Sequence, residues 1–108
     1  MMTAEASPIR WYLTLYVSGA SVLSSGAVEA IRRICDEELV DQVDLQIVDV
    51  HDEPALVVRD QIVAVPTLVR RLPKPLRKFV GDLTDTARVR VGLGLPPRPP
   101  GSPEGRQP

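Results

Sequence analysis

The stretch from Trp11 to Val17, WYLTLYV, is aromatic and aliphatic with a single polar interruption. This composition is typical of a buried central β-strand. From about Ser24, apolar residues recur at steps of three and four as far as Leu39, which predicts an amphipathic helix. A second apolar stretch, LQIVDV at residues 45–50, predicts another strand. This strand–helix–strand spacing is that of a right-handed βαβ unit with parallel strands.

Residues 52–69 predict a short helix and the start of a third strand. The sequence DEP at 52–54 places two acids ahead of a proline, as at a helix start. We expect about two helical turns, ending at Asp60 or Gln61. The apolar run that follows contains Pro66, which has no N–H to donate, so the third strand is expected to begin at Thr67.

The remaining segments predict a hairpin and a last helix. LPKP at 72–75 is a turn, residues 76–80 predict a fourth strand, and so short a connection favours antiparallel pairing. The last helix is expected from Thr84 or Asp85 to about Leu93. The order β-α-β-α-β-β-α is that of a thioredoxin-like α/β fold, with a four-stranded mixed sheet and helices on both faces. Because a cis proline often opens the third strand of that fold, we expect a cis Val65–Pro66 bond.

Composition limits the foldable part of the chain. Six of the eleven prolines lie in the last 13 of the 108 residues, and residues 1–8 are small and polar. We therefore predict a disordered N-terminus at 1–8, one domain at 9–95 and a disordered proline-rich tail at 96–108. No apolar run approaches the ~20 residues of a membrane span, and no secretory signal is visible. A single cysteine suits a reducing compartment, so the sequence predicts a cytoplasmic protein without a membrane association.

Charge is divided along the chain. Residues 29–60 hold ten acids and three bases, net −7, whereas residues 61–92 hold seven bases and two acids, net +5. Such halves either steer charged partners or neutralise each other in the fold. Residues 70–78 contain five cations that a hairpin could present to phosphates. Aromatic stacking partners are absent nearby except Phe79, so a protein surface or the chain's own acidic half is the favoured counter-charge, and no nucleic-acid partner is expected.

Groups that could carry catalysis are sparse. The loop after the first strand has no cysteine, and Cys35 lies on the apolar stripe of the first helix, where a small buried side chain is expected. His51 is the only histidine, and one histidine among loop carboxylates is a weak sign of a metal or acid–base site. We therefore predict no catalytic residue, no metal and no cofactor.

Several motifs in this order resemble the KaiB family of small clock proteins. They are LTLYVSG at 13–19, IVDV at 47–50 with Pro54 beyond it, AVPTL at 64–68, LPKPLR at 72–77, GDL at 81–83, and Val89 followed by GL at 92–93. The order and spacing hold without a gap from about Tyr12 to Leu95. The combination of PTL with LPxP and GDL is fairly specific, whereas PTL alone is common in thioredoxin-like domains.

The resemblance implies a non-enzymatic protein that docks on the ring of a KaiC-like ATPase and modulates its phosphorylation or ATPase cycle. By resemblance, the surface facing KaiC includes His51, Asp52, Glu53, Pro54, Arg59 and Asp60. The edge of the second strand, at Asp44 and Gln46, would meet a further partner such as a histidine kinase or another clock-output protein. The alternative is a thioredoxin-like sensor module of a signalling system unrelated to rhythm, also without redox activity.

The resemblance also implies two folds, one thioredoxin-like and monomeric, the other an oligomeric ground state, dimeric or tetrameric, with a rearranged C-terminal half. The positions associated with this switch and with the cis proline are Val65, Pro66, Thr67, Gly92 and Gly94. The family's Gly-Leu-Asp-Leu is Gly-Leu-Gly-Leu at residues 92–95 here. Because glycine lowers helix stability by about 1 kcal/mol relative to alanine, Gly94 is expected to change the balance between the folds.

Overall fold

The computed structural model describes residues 9–19 and 21–95, and its seven elements follow the predicted order. They are β1 (Trp11–Val17), α1 (Val22–Glu38), β2 (Val43–Asp49), α2 (Pro54–Arg59), β3 (Thr67–Leu72), β4 (Arg77–Val80) and α3 (Thr86–Leu93). The sheet order is β2-β1-β3-β4, with β1 parallel to β2 and antiparallel to β3, and β4 antiparallel to β3. The predicted mixed sheet is therefore confirmed. The predicted disordered segments 1–8 and 96–108 lie outside the described residues.

Capping and pairing explain where the elements begin. α1 starts at Val22 rather than at Ser24, because the Ser21 side chain accepts a hydrogen bond from the Ser24 N–H. β2 begins at Val43, in register with the first residue of β1, so it starts two residues earlier than its apolar run. Asp85 caps α3 by accepting from the Arg88 N–H.

Successive side chains of β1 point to opposite faces of the sheet, so the core has two parts, one on each face. Leu13, Leu15 and Val17 pack beneath α1 and α3, in a cluster that also contains Ile31 and Leu93. The opposite face holds a smaller cluster, formed by Tyr16, Val48 and Val69 with Leu56 and Val57 of α2 packed against it. Helices therefore cover both faces, as predicted, but α2 has only six residues and covers one end of its face.

Two ion pairs join the acidic half of the chain to the basic half. Glu38 at the end of α1 pairs with Arg90 of α3, and Asp60 after α2 pairs with Arg71 of β3. Arg70, next to Arg71, is buried instead against α3 and the turn between β3 and β4. The five cations at 70–78 therefore do not form one surface, and part of the charge division is neutralised inside the fold.

Arg70 is a charged side chain buried near α3, in surroundings where an apolar residue is usual. Its Nη1 donates to the Gly92 carbonyl at 2.8 Å and its Nη2 donates to the Pro75 carbonyl at 2.9 Å. Burial lowers the pKa of this guanidinium. Arg70 thereby connects β3 to α3 and to the hairpin turn through backbone oxygens.

The glycines near the chain's end have two different roles. Gly92 lies in α3 against the ring of Phe79, at a distance that leaves no room for a Cβ. Gly94 is left-handed, with φ +85°, and ends α3 while the Leu95 N–H bonds to the Arg90 carbonyl at 2.9 Å. Gly94 follows the helix at a position where glycine is the favoured residue, so the cost of a glycine inside a helix does not apply to it here. The expected change in the balance between the folds stays a prediction.

Candidate partner-binding surface

Four connections converge at one end of the sheet, since β1 and β2 run towards it and β3 starts from it. We call this the loop end; it comprises residues 18–19 and 21–23, 50–53, 60–66 and 81–85. The Val65–Pro66 peptide bond lies here and is cis, as the sequence predicted. The Thr67 hydroxyl donates to the Ala64 carbonyl at 2.6 Å, which holds the turn before β3.

Asp49, the last residue of β2, ties two of these connections together. One carboxylate oxygen accepts from the His51 N–H at 2.8 Å and the other from the Gly19 N–H at 3.1 Å. The His51 Nε2 also lies 3.2 Å from the Ser18 hydroxyl. The β1–α1 and β2–α2 loops are thus fixed to each other, so His51 has a defined position on the surface.

Most of the residues expected to face the partner are exposed around α2. His51, Asp52, Glu53 and Pro54 form the approach to the helix, and Arg59 lies at its end. Proline at the first position of α2 sets the helix start, as predicted from the DEP sequence. We call His51, Asp52, Glu53 and Pro54 the polar border of the loop end; Arg59 is exposed at the opposite end of α2.

Asp60 differs from these neighbours because its carboxylate is buried. Tyr16 donates its hydroxyl to Asp60 Oδ2, and Arg71 donates to both carboxylate oxygens. Arg71 also donates from Nε to the Thr14 hydroxyl at 3.1 Å, and Arg59 bonds Asp60 from the solvent side at 3.2 Å. Asp60 is therefore not presented to a partner; it attaches the end of α2 to β1 and β3.

The ionisation of this cluster follows from its contacts. The hydrogen bonds from Arg71 hold the pKa of Asp60 well below its usual range, against the effect of burial. Burial, with the Asp60 carboxylate beside it, raises the pKa of Tyr16. At neutral pH the cluster consequently contains an ionised carboxylate between guanidinium groups and a neutral phenol.

An apolar groove of about 700 Å³ occupies the centre of the loop end. Val22 and Leu23, in the first turn of α1, form one wall, and Val65 with Pro66 forms the opposite wall. Val22 is 86 % exposed, Leu23 73 % and the adjoining Val63 92 %. A patch of large exposed side chains beside a groove is typical of protein–protein contact sites.

Asp44 and Gln46 lie on β2, which is an edge strand of the sheet. Both side chains are exposed. Asp44 is paired in register with Tyr12 on β1, and Gln46 with Thr14. Asp44 lies five residues and Gln46 three residues before Asp49, where β2 ends at the loop end. The expected sites therefore belong to two distinct surfaces.

Cys35 lies on the buried face of α1, as expected for a structural cysteine. Burial, more than the neighbouring Asp36, raises the pKa of its thiol to about 11. Within the described ranges, no group of three or more histidine, cysteine or acidic side chains is arranged to hold a metal ion, and no helix there has the length and apolar character needed to cross a bilayer.

Cys35 should react slowly with iodoacetamide in the native protein at pH 8. We expect its rate to be roughly 100-fold below that of the urea-unfolded chain, because both burial and the low thiolate fraction oppose attack. Mass spectrometry of timed samples measures both rates. Equal rates in the native and unfolded states would contradict the structural role.

Residues that sequence reasoning missed are Val22 and Leu23 in the groove, Val63 beside it, and Asp49 beneath the His51 loop. Val22 and Leu23 precede the apolar stripe of α1 and are not needed by its periodicity. Two signals could have identified these apolar residues. Val22 and Leu23 lie outside the helical period, and Val63 lies close to the predicted cis proline.

Comparison with known proteins agrees with this description. A family model described as the KaiB domain matches residues 14–95. The circadian clock protein KaiB3 of Synechocystis sp. is 41 % identical over 88 residues, which cover 82 % of this chain and 86 % of the relative. The circadian clock oscillator protein KaiB of Microcystis aeruginosa is 40 % identical over 85 residues, covering 79 % and 82 %.

Two solved structures agree on the fold. The N-terminal domain of Synechococcus elongatus SasA superposes with a TM-score of 0.65 at 28 % identity, covering 84 % of this chain and 88 % of that domain. Oxidised mitochondrial thioredoxin 3 of Saccharomyces cerevisiae gives 0.66 at 13 % identity, covering 82 % and 80 %, which bears on the fold alone. The thioredoxin-like architecture is thus confirmed.

Proposed function

Because the chain belongs to the KaiB family of non-enzymatic clock proteins, we propose that it binds the ring of a KaiC-like ATPase through the loop end. Binding would modulate the phosphorylation or ATPase cycle of that ring. The clock-regulatory role rests on the named relatives, and the specific partner is our proposal.

The observation that carries this proposal is the pairing of an exposed apolar groove with a fixed polar border. Val22, Leu23 and Val63 offer apolar area that is lost to water on binding, which is the main favourable term in protein association. The exposed residues from His51 to Pro54 lie in the β2–α2 connection at the same end of the sheet and supply polar and charged groups, as the rim of an interface does. Asp60 holds α2 and the border in place without touching the partner.

The second part of the proposal concerns the β2 edge. Asp44 and Gln46 are exposed on a strand whose outer side is open. We assign this edge to a second partner, a histidine kinase or another clock-output protein. Since the edge is remote from the groove, a second partner could bind while the ring is bound.

The third part concerns oligomers and the second fold. By family, the free protein would also form a dimer or tetramer in which the C-terminal half is rearranged, with Val65–Thr67, Gly92 and Gly94 in the changing segments. In the structure described here, Gly92 and Gly94 both favour the docked α3. Two packings of this kind must lie within a few kcal/mol of each other to interconvert.

The test is binding to the KaiC-like ATPase of the same source, with ATP, by size-exclusion chromatography with light scattering and then by titration. Val63→Asp should weaken binding at least tenfold, about 1.4 kcal/mol, because it places a charge on the exposed apolar patch beside the groove. Val91→Asp is the matched control: Val91 is 69 % exposed on α3, outside the loop end, and its variant should bind within twofold of the wild type.

Absence of co-elution after long incubation would reject the KaiC-like partner and favour the alternative, a sensor module of a signalling system unrelated to rhythm. Equal weakening by Val63→Asp and Val91→Asp would reject the loop end as the binding surface. Light scattering of the free protein reports the oligomeric state in the same experiment.

A further inference from the structure

Two features of opposite charge lie at opposite ends of the sheet. The loop end contains neither lysine nor arginine, and its buried Asp60 is already paired with Arg71. Its exposed acidic side chains are Asp52, Glu53, Asp82 and Asp85. The connection between β3 and β4 lies at the other end of the sheet. We call residues 72–77 the proline turn; its charged residues are Lys74 and Arg77.

Negative charge reaches the apolar groove of the loop end, because Asp82 is one of the residues that line it. The backbone N–H of Thr84 donates to the Asp82 carboxylate at 3.0 Å, which fixes the position of this acid. Lys78 and Arg88 share a smaller cleft with Asp82 but do not line the groove. The groove therefore fits a segment in which an exposed apolar side chain lies next to lysine or arginine.

The proline turn has this chemistry. All six of its residues are exposed, and the side chain of Leu76 is 51 % exposed although it is apolar. Leu76 follows Lys74 by two residues and directly precedes Arg77, so an apolar side chain is placed between two cations. The two prolines of the turn restrict its backbone. A restricted segment loses little conformational entropy on binding, which favours its use as a contact.

The proline turn cannot enter the groove of its own molecule. β3 connects the two features and has six residues, so roughly 20 Å separates them along the strand. The turn is also held at its end of the sheet, since Arg70 Nη2 donates to the Pro75 carbonyl at 2.9 Å. The groove and the turn can therefore meet only between two molecules.

We propose that the groove of the loop end binds the proline turn of a second copy of this chain. Leu76 of the incoming copy enters the groove, and its Lys74 and Arg77 approach the acids of the loop end. The two surfaces differ, so the contact is head-to-tail and leaves one groove and one turn free in each pair. A contact made by six residues is small, so the association is weak and depends on concentration.

This self-association differs from the oligomers with a rearranged C-terminal half, because each copy keeps the thioredoxin-like fold. It rests on the groove and the turn of this chain and does not depend on the identity of the ATPase. A copy that occupies the groove excludes any other protein from it. A partner of the loop end must therefore displace this copy before it can bind.

Sedimentation equilibrium of the free, full-length protein tests the charge complementarity. The average mass should rise with concentration up to about 1 mM, the range in which weak contacts associate. The association constant should fall at least fivefold when NaCl is raised from about 0.05 M to about 0.5 M, because salt screens exposed charges. Lys74→Glu should also lower it at least fivefold. Arg33→Glu, the same reversal on an exposed residue of α1, should stay within twofold of the wild type.

A mixing experiment tests the head-to-tail arrangement. Leu23→Asp charges the groove and leaves the turn intact, whereas Leu76→Asp charges the turn and leaves the groove intact. Each variant alone should remain monomeric, and circular dichroism checks that each is folded. An equimolar mixture should form a complex of twice the monomer mass and no larger species. Such a mixture has one working groove and one working turn, and these can pair only once.

Three results would overturn the proposal. A free protein that stays monomeric up to about 1 mM has no such contact. Association that neither salt nor Lys74→Glu weakens does not depend on the charge of the turn. Two folded variants that remain monomeric when mixed, although the wild type associates, would indicate a symmetric contact or a rearranged oligomer instead.

Discussion

Asp60→Asn is expected to lower the free energy of unfolding by about 3 kcal/mol, the range observed when one partner of a buried ion pair is removed. Asparagine preserves the shape of the side chain but leaves the Arg71 guanidinium without its counter-charge and gives the Tyr16 hydroxyl a weaker acceptor. Urea unfolding followed by circular dichroism at pH 7 measures the loss.

The matched control for Asp60 is Asp52→Asn. Asp52 is exposed in the same loop region, and its variant should change the free energy of unfolding by less than about 0.5 kcal/mol. Similar losses in the two variants would show that the Asp60 cluster does not stabilise the fold.

The same cluster sets a dependence on pH. Because the folded-state pKa of Asp60 lies well below its unfolded value of about 3.9, its contribution is complete above about pH 5 and is lost progressively as the pH falls below that. The free energy of unfolding of the wild type should therefore decrease more steeply with acidification than that of Asp60→Asn. Parallel pH profiles would contradict this origin.

Gly92→Ala is expected to destabilise the protein by up to about 2 kcal/mol, although alanine is the better helix former. The added Cβ would overlap the ring of Phe79, which packs against the core. Overpacking costs about 1–3 kcal/mol, and this exceeds the gain in helix propensity of about 1 kcal/mol. Thermal and urea unfolding of the variant measure the net effect.

Gly26→Ala in α1 is the matched control, and it should have the opposite sign. There the added Cβ meets only Thr84 Cγ2, at an ordinary distance of 3.4 Å, so the gain in helix propensity, up to about 1 kcal/mol, should remain. Stabilisation by both substitutions would mean that the Phe79 ring moves aside without cost.

Most of the fold could be predicted from the sequence, because local patterns coincide with the tertiary structure. The apolar run 11–17 is β1 residue for residue, and Pro66 marks the start of β3. The first residues of α1 and β2 could not be predicted in this way. They depend on the cap at Ser21 and on pairing with β1, which the periodicity of the sequence does not show.

The candidate site could be predicted only in part. The DEP sequence located the polar border, but Asp60 follows Arg59 and resembles one of an exposed charged pair. Its burial depends on Arg71, eleven residues away on β3. The sequence also does not show that Gly94 lies just beyond the last helix, where its left-handed backbone ends that helix. In each case the deciding contact is absent from the local sequence.

The indole of Trp11 has a consequence for experiment. It is the chain's single tryptophan, and its N–H bonds to the backbone of the last helix at Leu93. Its ultraviolet emission therefore reports the docking of α3 without any added dye. The rearranged C-terminal half proposed above would remove this hydrogen bond and expose the ring to water, so the emission of the unmodified protein tests in real time whether that conversion occurs.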